Sequence, residues 1–139
     1  MLLLDTNLLV HNIRQDALWQ VVEKRYGLLD APGASATSIV TEGEIRGLAL
    51  QFGWGIAKQQ RMEGLLDYYL VIPLPFRDVV EVYAEIDDYS RRHGVTMGKN
   101  DLWIAATARV TGARLLTTDK DFDHLHDVFL ERDWLDPAL

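Results

Sequence analysis

The stretch LLLDTNLLV, residues 2–10, shows how this chain is organised. Its three leading leucines, Leu2–Leu4, have the length and apolar character of a buried strand, and Asp5 follows them directly. The same arrangement returns late in the chain, where the predicted strand Arg114–Thr117 leads to Asp119. A single aspartate after a strand is more often a turn or cap residue. Neither Asp5 nor Asp119 alone therefore indicates a functional site, and their positions must be considered together with those of the other acids.

Strand-length apolar segments alternate with helical patterns along the chain. Besides the two strands above, we predict strands over residues 38–40, 71–73 and 128–130. The apolar spacing predicts helices at residues 18–29, at 45–52 after an N-cap at Thr41, at 56–70, at 79–89 before a terminating Gly94, and at 100–111 with Asn100 as the cap. This alternation indicates an α/β sandwich with a mostly parallel sheet.

The composition is that of an ordinary globular domain. With 139 residues, 48% of them hydrophobic and 25% charged, the chain is expected to form a single domain over residues 1–139. It has no cysteine, which excludes thiol catalysis and is compatible with a cytoplasmic protein. It has no run of about 18 apolar residues, so we expect no membrane span. The net charge of −7 argues against a simple RNA-binding module but not against a nuclease whose site is itself acidic.

Four acidic residues are expected to meet at one edge of the sheet. Ligands bind beyond the carboxyl ends of the strands in open parallel sheets, and Asp5 and Asp119 follow two of those ends. Glu44 is expected in the first turn of the helix after the second strand, and Asp101 opens the helix predicted over residues 100–111. The pattern therefore predicts an acidic cleft.

Asp101 is the most informative of the four acids. Ile104, Ala105 and Ala108 lie three, four and seven residues after it, which places the aspartate within the apolar stripe of its helix. A favourable interaction with the helix dipole would explain its position along the helix. That interaction would not explain why the carboxylate is on the face that packs against the sheet.

Four carboxylates in one cleft repel one another unless some are protonated or a cation neutralises them. An all-oxygen set without cysteine or a nearby histidine suits a hard cation, Mg²⁺ or Mn²⁺, and we expect Asp5, Asp101 and Asp119 to converge on it. Such an ion can activate a water molecule and stabilise charge on a phosphoryl oxygen. A phosphodiester is the natural substrate of this arrangement.

The second acid of the cleft is either Glu44 or Glu42. With Thr41 as the N-cap, Glu44 would be the third helical residue, where a capping box would use it structurally. We favour Glu44 as the site acid because Gly47, three residues later, would let a ligand approach closely. Two neutral residues are supporting candidates: Asn7, which would either hold Asp5 or a phosphate or cap the next helix, and Thr118, which would either orient the site or continue the strand.

Four segments together resemble the sequence signature of PIN domains, and more narrowly that of VapC-type toxins of toxin–antitoxin pairs: LLLDTNLLV, SIVTEGEIRG, NDLWIAATA and TTDKDF. The resemblance runs from Leu2 to about Phe122 and implies a three-layer α/β/α fold and a magnesium-dependent endoribonuclease. It also implies a homodimer that is inhibited by a small protein antitoxin. The family's acidic site matches Asp5, Glu44, Asp101 and Asp119, and Asp121 and Asp123 follow as further acids of the last segment.

Two other classes of function stay open. An aspartate-based phosphotransfer or phosphatase domain could use Asp5 as the phospho-acceptor. Such phosphatases, however, require a second aspartate two residues later, where this chain has Asn7. A non-catalytic PIN-like binding module could keep the fold and lack the chemistry. The presence of all four acids gives no reason for such a loss.

Overall fold

One parallel β-sheet forms the centre of the protein in a computed structural model, which describes residues 1–31 and 33–138. The sheet has five strands in the order β3-β2-β1-β4-β5, and each neighbouring pair is parallel. The strands are β1 Leu2–Leu4, β2 Ser35–Ser38, β3 Leu70–Ile72, β4 Arg114–Thr117 and β5 Arg132–Trp134. Leu4 pairs with Leu116, so the carboxyl ends of β1 and β4 lie side by side at the middle of the sheet.

Helices cover both faces of the sheet. They are α1 Thr6–Arg14, α2 Ala17–Tyr26, α3 Ile39–Gln51, α4 Ile56–Tyr68, α5 Val79–Arg92 and α6 Lys99–Thr111, with 3₁₀ turns at Leu28–Asp30 and Lys120–Leu125. Leu3 and Leu115 pack with α5 and α6, whereas Leu4 and Leu116 pack with α1, α2 and α4. Successive residues of a strand thus contribute side chains to two hydrophobic cores on opposite faces of the sheet. This confirms the three-layer α/β/α sandwich.

Two predicted strands were misplaced. The second strand lies at Ser35–Ser38 and not at 38–40, because the hydroxyl of Ser38 accepts a hydrogen bond from the Val40 N–H at 3.0 Å and starts α3. Its four residues, SATS, are small or polar and all buried, so hydrophobicity did not reveal them. The fifth strand is Arg132–Trp134 and not 128–130, since the N–H groups of Val128 and Phe129 turn back to the carbonyl of Leu125.

Several helix boundaries also differ from the prediction. The cap of α6 is Gly98, so Asn100 lies inside the first turn. The helix predicted over residues 56–70 ends at Tyr68, because Leu70 already belongs to β3. Asp5, and not Asn7, caps α1. None of the helices in the described part of the chain is long and apolar enough to cross a membrane.

Candidate active site

An open cleft of about 790 Å³ lies at the carboxyl edge of the sheet. Its walls come from the ends of β1 and β4, from the starts of α1 and α6, from one side of α3 along its length, and from Leu74 after β3. The four acids predicted from the sequence all line it: Asp5, Glu44, Asp101 and Asp119. The parallel topology brings these residues together although they are spread over most of the chain.

Asp5 is held by neighbours on both sides. It is 5% exposed, and its Oδ1 accepts a hydrogen bond from the Thr6 N–H at 2.8 Å. Its Oδ2 accepts a hydrogen bond from the Thr117 hydroxyl at 2.7 Å, across the junction of β1 and β4. The carboxylate is therefore fixed in orientation before any ligand arrives.

The sequence analysis singled out Thr118, but the hydroxyl that contacts Asp5 belongs to Thr117. The carbonyl of Thr118 accepts a hydrogen bond from the Trp134 indole at 2.9 Å. The sequence does contain a signal that could have identified Thr117. Side chains alternate along a strand, so Leu115 and Thr117, which are two residues apart, share a face of β4. A fully buried threonine at the end of that strand needs a polar partner, and the nearest strand end carries Asp5.

Glu44 is tied to the same strand end through Thr6. Its Oε1 accepts a hydrogen bond from the Thr6 hydroxyl at 2.8 Å, and the Thr41 hydroxyl lies 3.0 Å from that of Thr6. Because an ionised carboxylate only accepts and Thr6 has one hydroxyl proton, Thr41 donates to Thr6 and Thr6 donates to Glu44. The relay links α3 to the start of α1.

The capping-box alternative for Glu44 is wrong. With Ser38 as the N-cap, Glu44 is the sixth residue of α3 and not in its first turn. Glu42 faces elsewhere and forms an ion pair with Arg46 at 3.0 Å, and it does not line the cleft. Of the two glutamates, only Glu44 faces the other acids.

A fifth acid, Asp121, joins the cluster. Oxygen atoms of Asp101, Asp119 and Asp121 all lie within 4.8 Å of one another. Asp119 positions this group: its N–H donates to the Thr117 hydroxyl at 3.0 Å, and its Oδ1 accepts from the Asp121 N–H at 2.9 Å. Asp123 instead faces the guanidinium of Arg132 at 3.1 Å. The geometry thus separates Asp121 from Asp123, which the sequence left unresolved.

Burial and the repulsion between neighbouring carboxylates raise the pKa values of three acids of this cluster. Burial, opposed by the hydrogen bonds from Thr117 and Thr6, raises the pKa of Asp5 to about 6. Burial and the negative charges of its neighbours, Asp5 first among them, raise the pKa of Asp101 to about 7. The pKa of Asp121 is also raised, by burial and then by Asp119.

No Lys, Arg or His within residues 1–31 and 33–138 forms a salt bridge with any of the five clustered acids. Other carboxylates of the protein, such as Glu42 and Asp123, do have such partners. A group of acids without a protein cation fits a bound hard cation, for which carboxylate oxygen is the preferred ligand. The three-aspartate group is the part spaced to hold one, and Asp5 and Glu44 line the same cleft.

Two glycines of α3 leave the cleft open on one side. Gly43 and Gly47 both line it, and a Cβ built on either would have no protein atom within 4 Å. Neither has a positive φ, so the backbone does not require glycine there. Asn7 is exposed at the rim, and Asn100 and Trp103 complete the wall on the α6 side.

Several solved structures resemble this fold over nearly its whole length. VapBC2 from Rickettsia felis, bound to a DNA fragment from their promoter, has a TM-score of 0.80 at 21% identity, covering 96% of this chain and 98% of that one. FitAcB from Neisseria gonorrhoeae has a TM-score of 0.74 at 26% identity, with 95% and 96% covered. VapBC-1 from nontypeable Haemophilus influenzae has a TM-score of 0.74 at 23% identity, with the same two coverages.

Comparison of sequences identifies the family to which the chain belongs. No curated protein sequence matches the chain significantly. The sequence model of the PIN domain, however, matches residues 2–128, a span that contains all five clustered acids. PIN domains are in general nucleases that use a divalent metal. The chain belongs to the PIN domain family.

Proposed function

We propose that this protein is a magnesium- or manganese-dependent endoribonuclease and the toxin of a toxin–antitoxin pair. The observation that carries the proposal is the cluster of five carboxylates at the carboxyl edge of the sheet, with no salt-bridge partner in the described chain. A set of oxygen donors alone favours a hard divalent cation over zinc or copper. Phosphodiester hydrolysis is the reaction that such a site serves best.

The side chains divide the work among them. Asp101, Asp119 and Asp121 would hold the cation, with Asp5 contributing directly or through water. When bound, a divalent cation lowers the pKa of a water molecule and stabilises charge on a phosphoryl oxygen. Glu44, oriented by Thr6, would accept a proton from the attacking water at its free carboxylate oxygen. The water oxygen bonds to phosphorus as the opposite phosphorus–oxygen bond breaks, and the leaving oxygen takes a proton.

Supporting residues would fix this geometry and the substrate. Thr117 and the backbone of Thr6 hold the carboxylate of Asp5, so that its orientation does not change during the reaction. Asn7, exposed at the rim, would donate a hydrogen bond to a substrate phosphate. Thr118 lines a second cavity, which lies next to the cleft. It would contact the substrate beyond the reacting phosphate.

A small protein antitoxin and a second copy of the chain are the proposed partners. Two of the similar structures, from Rickettsia felis and Haemophilus influenzae, are of VapBC proteins, and a third is a toxin–antitoxin complex from Klebsiella pneumoniae, which supports an antitoxin. Co-expression with the product of an adjacent small gene should give a stable complex, and light scattering of the isolated chain should give the mass of a dimer. A monomer at tens of micromolar, roughly the range in which modest interfaces associate, would contradict the dimer. We propose the cytoplasm as the protein's site of action, because RNA is the proposed substrate.

The decisive experiment is incubation of the purified protein with end-labelled single-stranded RNA, in magnesium and in excess chelator. Cleavage is expected only with the metal, and Asp101→Asn should abolish it while the protein stays folded. Undiminished cleavage in chelator would refute the metal mechanism. Labelled DNA and an aryl phosphate monoester serve as alternative substrates, because a phosphotransfer domain would act on the monoester and a non-catalytic module on none of the three.

A further inference from the structure

A second cavity opens beside the acidic cleft. It encloses about 670 Å³, and Asn7 and Leu48 line both spaces. We call it the basic cavity, and it is lined by Asn7, Val10, His11, Arg14, Leu48, Phe52, Trp54, Lys58, Thr118 and Pro137. A polymer lying across the acids would have to leave the cleft on one side, and this cavity is a continuation of it.

The basic cavity differs from the cleft in charge. None of the described residues that line it is acidic, whereas two lining residues, Arg14 and Lys58, carry permanent positive charge. Neither forms a salt bridge within residues 1–31 and 33–138. Asp16 is the acid nearest this end of α1 in sequence. Its carboxylate already contacts Nδ1 of His11 at 2.5 Å and accepts a hydrogen bond from the backbone N–H of Trp19. In a chain of net charge −7, this is a local anion-binding surface.

The exposed face of α1 leads from the acids to these cations. Asn7, His11 and Arg14 are spaced four and three residues apart, so they lie along one face of the helix. At 1.5 Å per residue, Arg14 is about 10 Å further along the axis than Asn7. A phosphate near Arg14 therefore cannot be the one that lies among the carboxylates.

Two aromatic side chains form the opposite wall. Trp54 lies between α3 and α4, where its backbone N–H donates a hydrogen bond to the Ala49 carbonyl at 2.9 Å, and the ammonium of Lys58 lies 4.5 Å from the centre of its ring. Phe52 is 72% exposed, so its ring is accessible to a ligand. Aromatic rings beside cations are the combination that binds single-stranded nucleic acid, because every base can stack on a ring.

We propose that the basic cavity binds a nucleotide next to the cleaved phosphodiester, with Arg14 and Lys58 on its phosphate and Trp54 or Phe52 against its base. This inference rests on the proposed ribonuclease function and names part of its substrate site. A protein segment could also cover Phe52 and Trp54. RNA is favoured because the cavity joins the acidic cleft, has no acid among its described lining residues and holds the Lys58 ammonium against the ring of Trp54.

The test measures RNA binding apart from cleavage. A fluorescein-labelled single-stranded RNA of ten nucleotides is titrated with the Asp101→Asn protein, and the dissociation constant is read from fluorescence anisotropy at several salt concentrations. Arg14→Gln/Lys58→Gln is then added in the same background. Its matched control, Lys24→Gln/Arg92→Gln, removes two exposed cations outside the cavity. Phe52→Ser tests the aromatic wall without disturbing the half-buried tryptophan.

The Arg14→Gln/Lys58→Gln pair should weaken RNA binding about tenfold or more at low salt, and Phe52→Ser should weaken it about tenfold. Loss of the contacts to this one phosphate should also make the slope of log affinity against log salt shallower by about 0.7, which a merely structural change would not do. The control pair should change the affinity less than about twofold.

Three results would overturn the inference, and they differ from one another. If the metal-dependent ribonuclease is active but RNA binding and its salt slope are the same in all variants, the cavity is not part of the substrate site. If those variants instead lose a co-expressed protein partner while RNA binding is unchanged, the cavity is a protein-docking surface. Absence of any RNA binding or cleavage by the unmodified protein would refute the proposed function together with this inference.

Discussion

The hydroxyl of Thr117 donates a hydrogen bond of 2.7 Å to Oδ2 of Asp5, joining residues 112 positions apart in the chain. The same hydroxyl oxygen accepts from the Asp119 N–H at 3.0 Å, so one threonine positions two acids of the cleft. This bond exists because β1 and β4 are parallel neighbours whose last residues lie side by side. The acids are therefore set by the sheet before a metal binds.

Replacing Thr117 by valine should weaken metal binding and also lower the stability of the fold. The substitution keeps the side-chain shape in a fully buried position and removes both hydrogen bonds of the hydroxyl, each of which contributes roughly 1 kcal/mol to the free energy of unfolding. It should raise the pKa of Asp5 further, because the hydrogen bond from Thr117 lowers it. The magnesium concentration for half-maximal RNA cleavage should rise about tenfold. Thr118→Val, whose backbone carbonyl and not its hydroxyl makes the local hydrogen bond, should keep the normal magnesium requirement.

In the absence of metal, Asp101→Asn should stabilise the protein. The asparagine removes a charge that faces Asp5, Asp119 and Asp121 and keeps nearly the same shape. Thermal unfolding in chelator should give a higher midpoint by about 3–5 °C for each kcal/mol of repulsion relieved. Magnesium should raise the midpoint of the unmodified protein and leave that of the variant nearly unchanged. A clearly lower midpoint for the variant would identify Asp101 as a structural hydrogen-bond partner.

The metal-free protein should lose stability as the pH rises from about 5 to 8. The folded-state pKa values of Asp5, about 6, and Asp101, about 7, lie above the ordinary value, so folding favours their neutral forms. Their stabilising contribution is complete at low pH and disappears as the pH passes through those values. Unfolding midpoints measured in chelator should fall across this range, and magnesium affinity should increase across it as protons leave.

The Asp101→Asn variant is the control for this pH dependence. It lacks one of the two titrating groups, the one with the higher pKa. Its unfolding midpoint should therefore change less between about pH 5 and 8 than that of the unmodified protein. Equal slopes for the two proteins would show that the titration lies elsewhere in the molecule.

Glu44→Gln and Glu42→Gln should separate catalysis from surface charge. Glu44 faces the cleft and accepts the Thr6 hydrogen bond, which a glutamine oxygen can also accept. Its replacement should reduce RNA cleavage by about two orders of magnitude or more, as loss of a general base does, with little change in the unfolding midpoint. Glu42→Gln removes an ion pair with Arg46 at the surface, worth about 0–1 kcal/mol, and should retain most activity. An active Glu44→Gln would remove that residue from the mechanism.

The sequence predicted the fold because its apolar strands are local signals. Leu2–Leu4 and Arg114–Thr117 were placed correctly, and the acids that follow them could be assigned to one sheet edge from topology alone. Asp101 could be assigned to the inner face from helical periodicity. These inferences need only spacing and strand direction, which the chain carries without reference to tertiary contacts.

The contacts between the acids could not be predicted in this way. The β2 strand has no apolar signature, and its misplacement moved the predicted N-cap of α3 from Ser38 to Thr41. That shift made Glu44 look like a capping residue. The roles of Thr6 and Thr117 depend on side chains 38 and 112 residues away, and the separation of Asp121 from Asp123 depends on Arg132. Such details follow from packing and not from pattern.

Gly47→Ala should make the protein more stable and less active. Gly47 lies inside α3 without a positive φ, and a methyl group there would touch no protein atom within 4 Å. Alanine should therefore add about 0.5–1 kcal/mol to the free energy of unfolding, because glycine loses more backbone entropy in a helix. The same methyl group would project into the acidic cleft, which Gly47 lines, and should raise the KM for RNA.

Gly64→Ala is the matched control, because Gly64 also lies inside a helix, α4, with no atom near its Cβ position and no part in the cleft. It should show the same gain in stability and an unchanged KM. If both variants are equally stabilised and equally active, the space beside Gly47 is not used by the substrate. The combination expected here, a more stable protein with a higher KM only for Gly47→Ala, would show that this position keeps glycine for access to the cleft and at a cost to the fold.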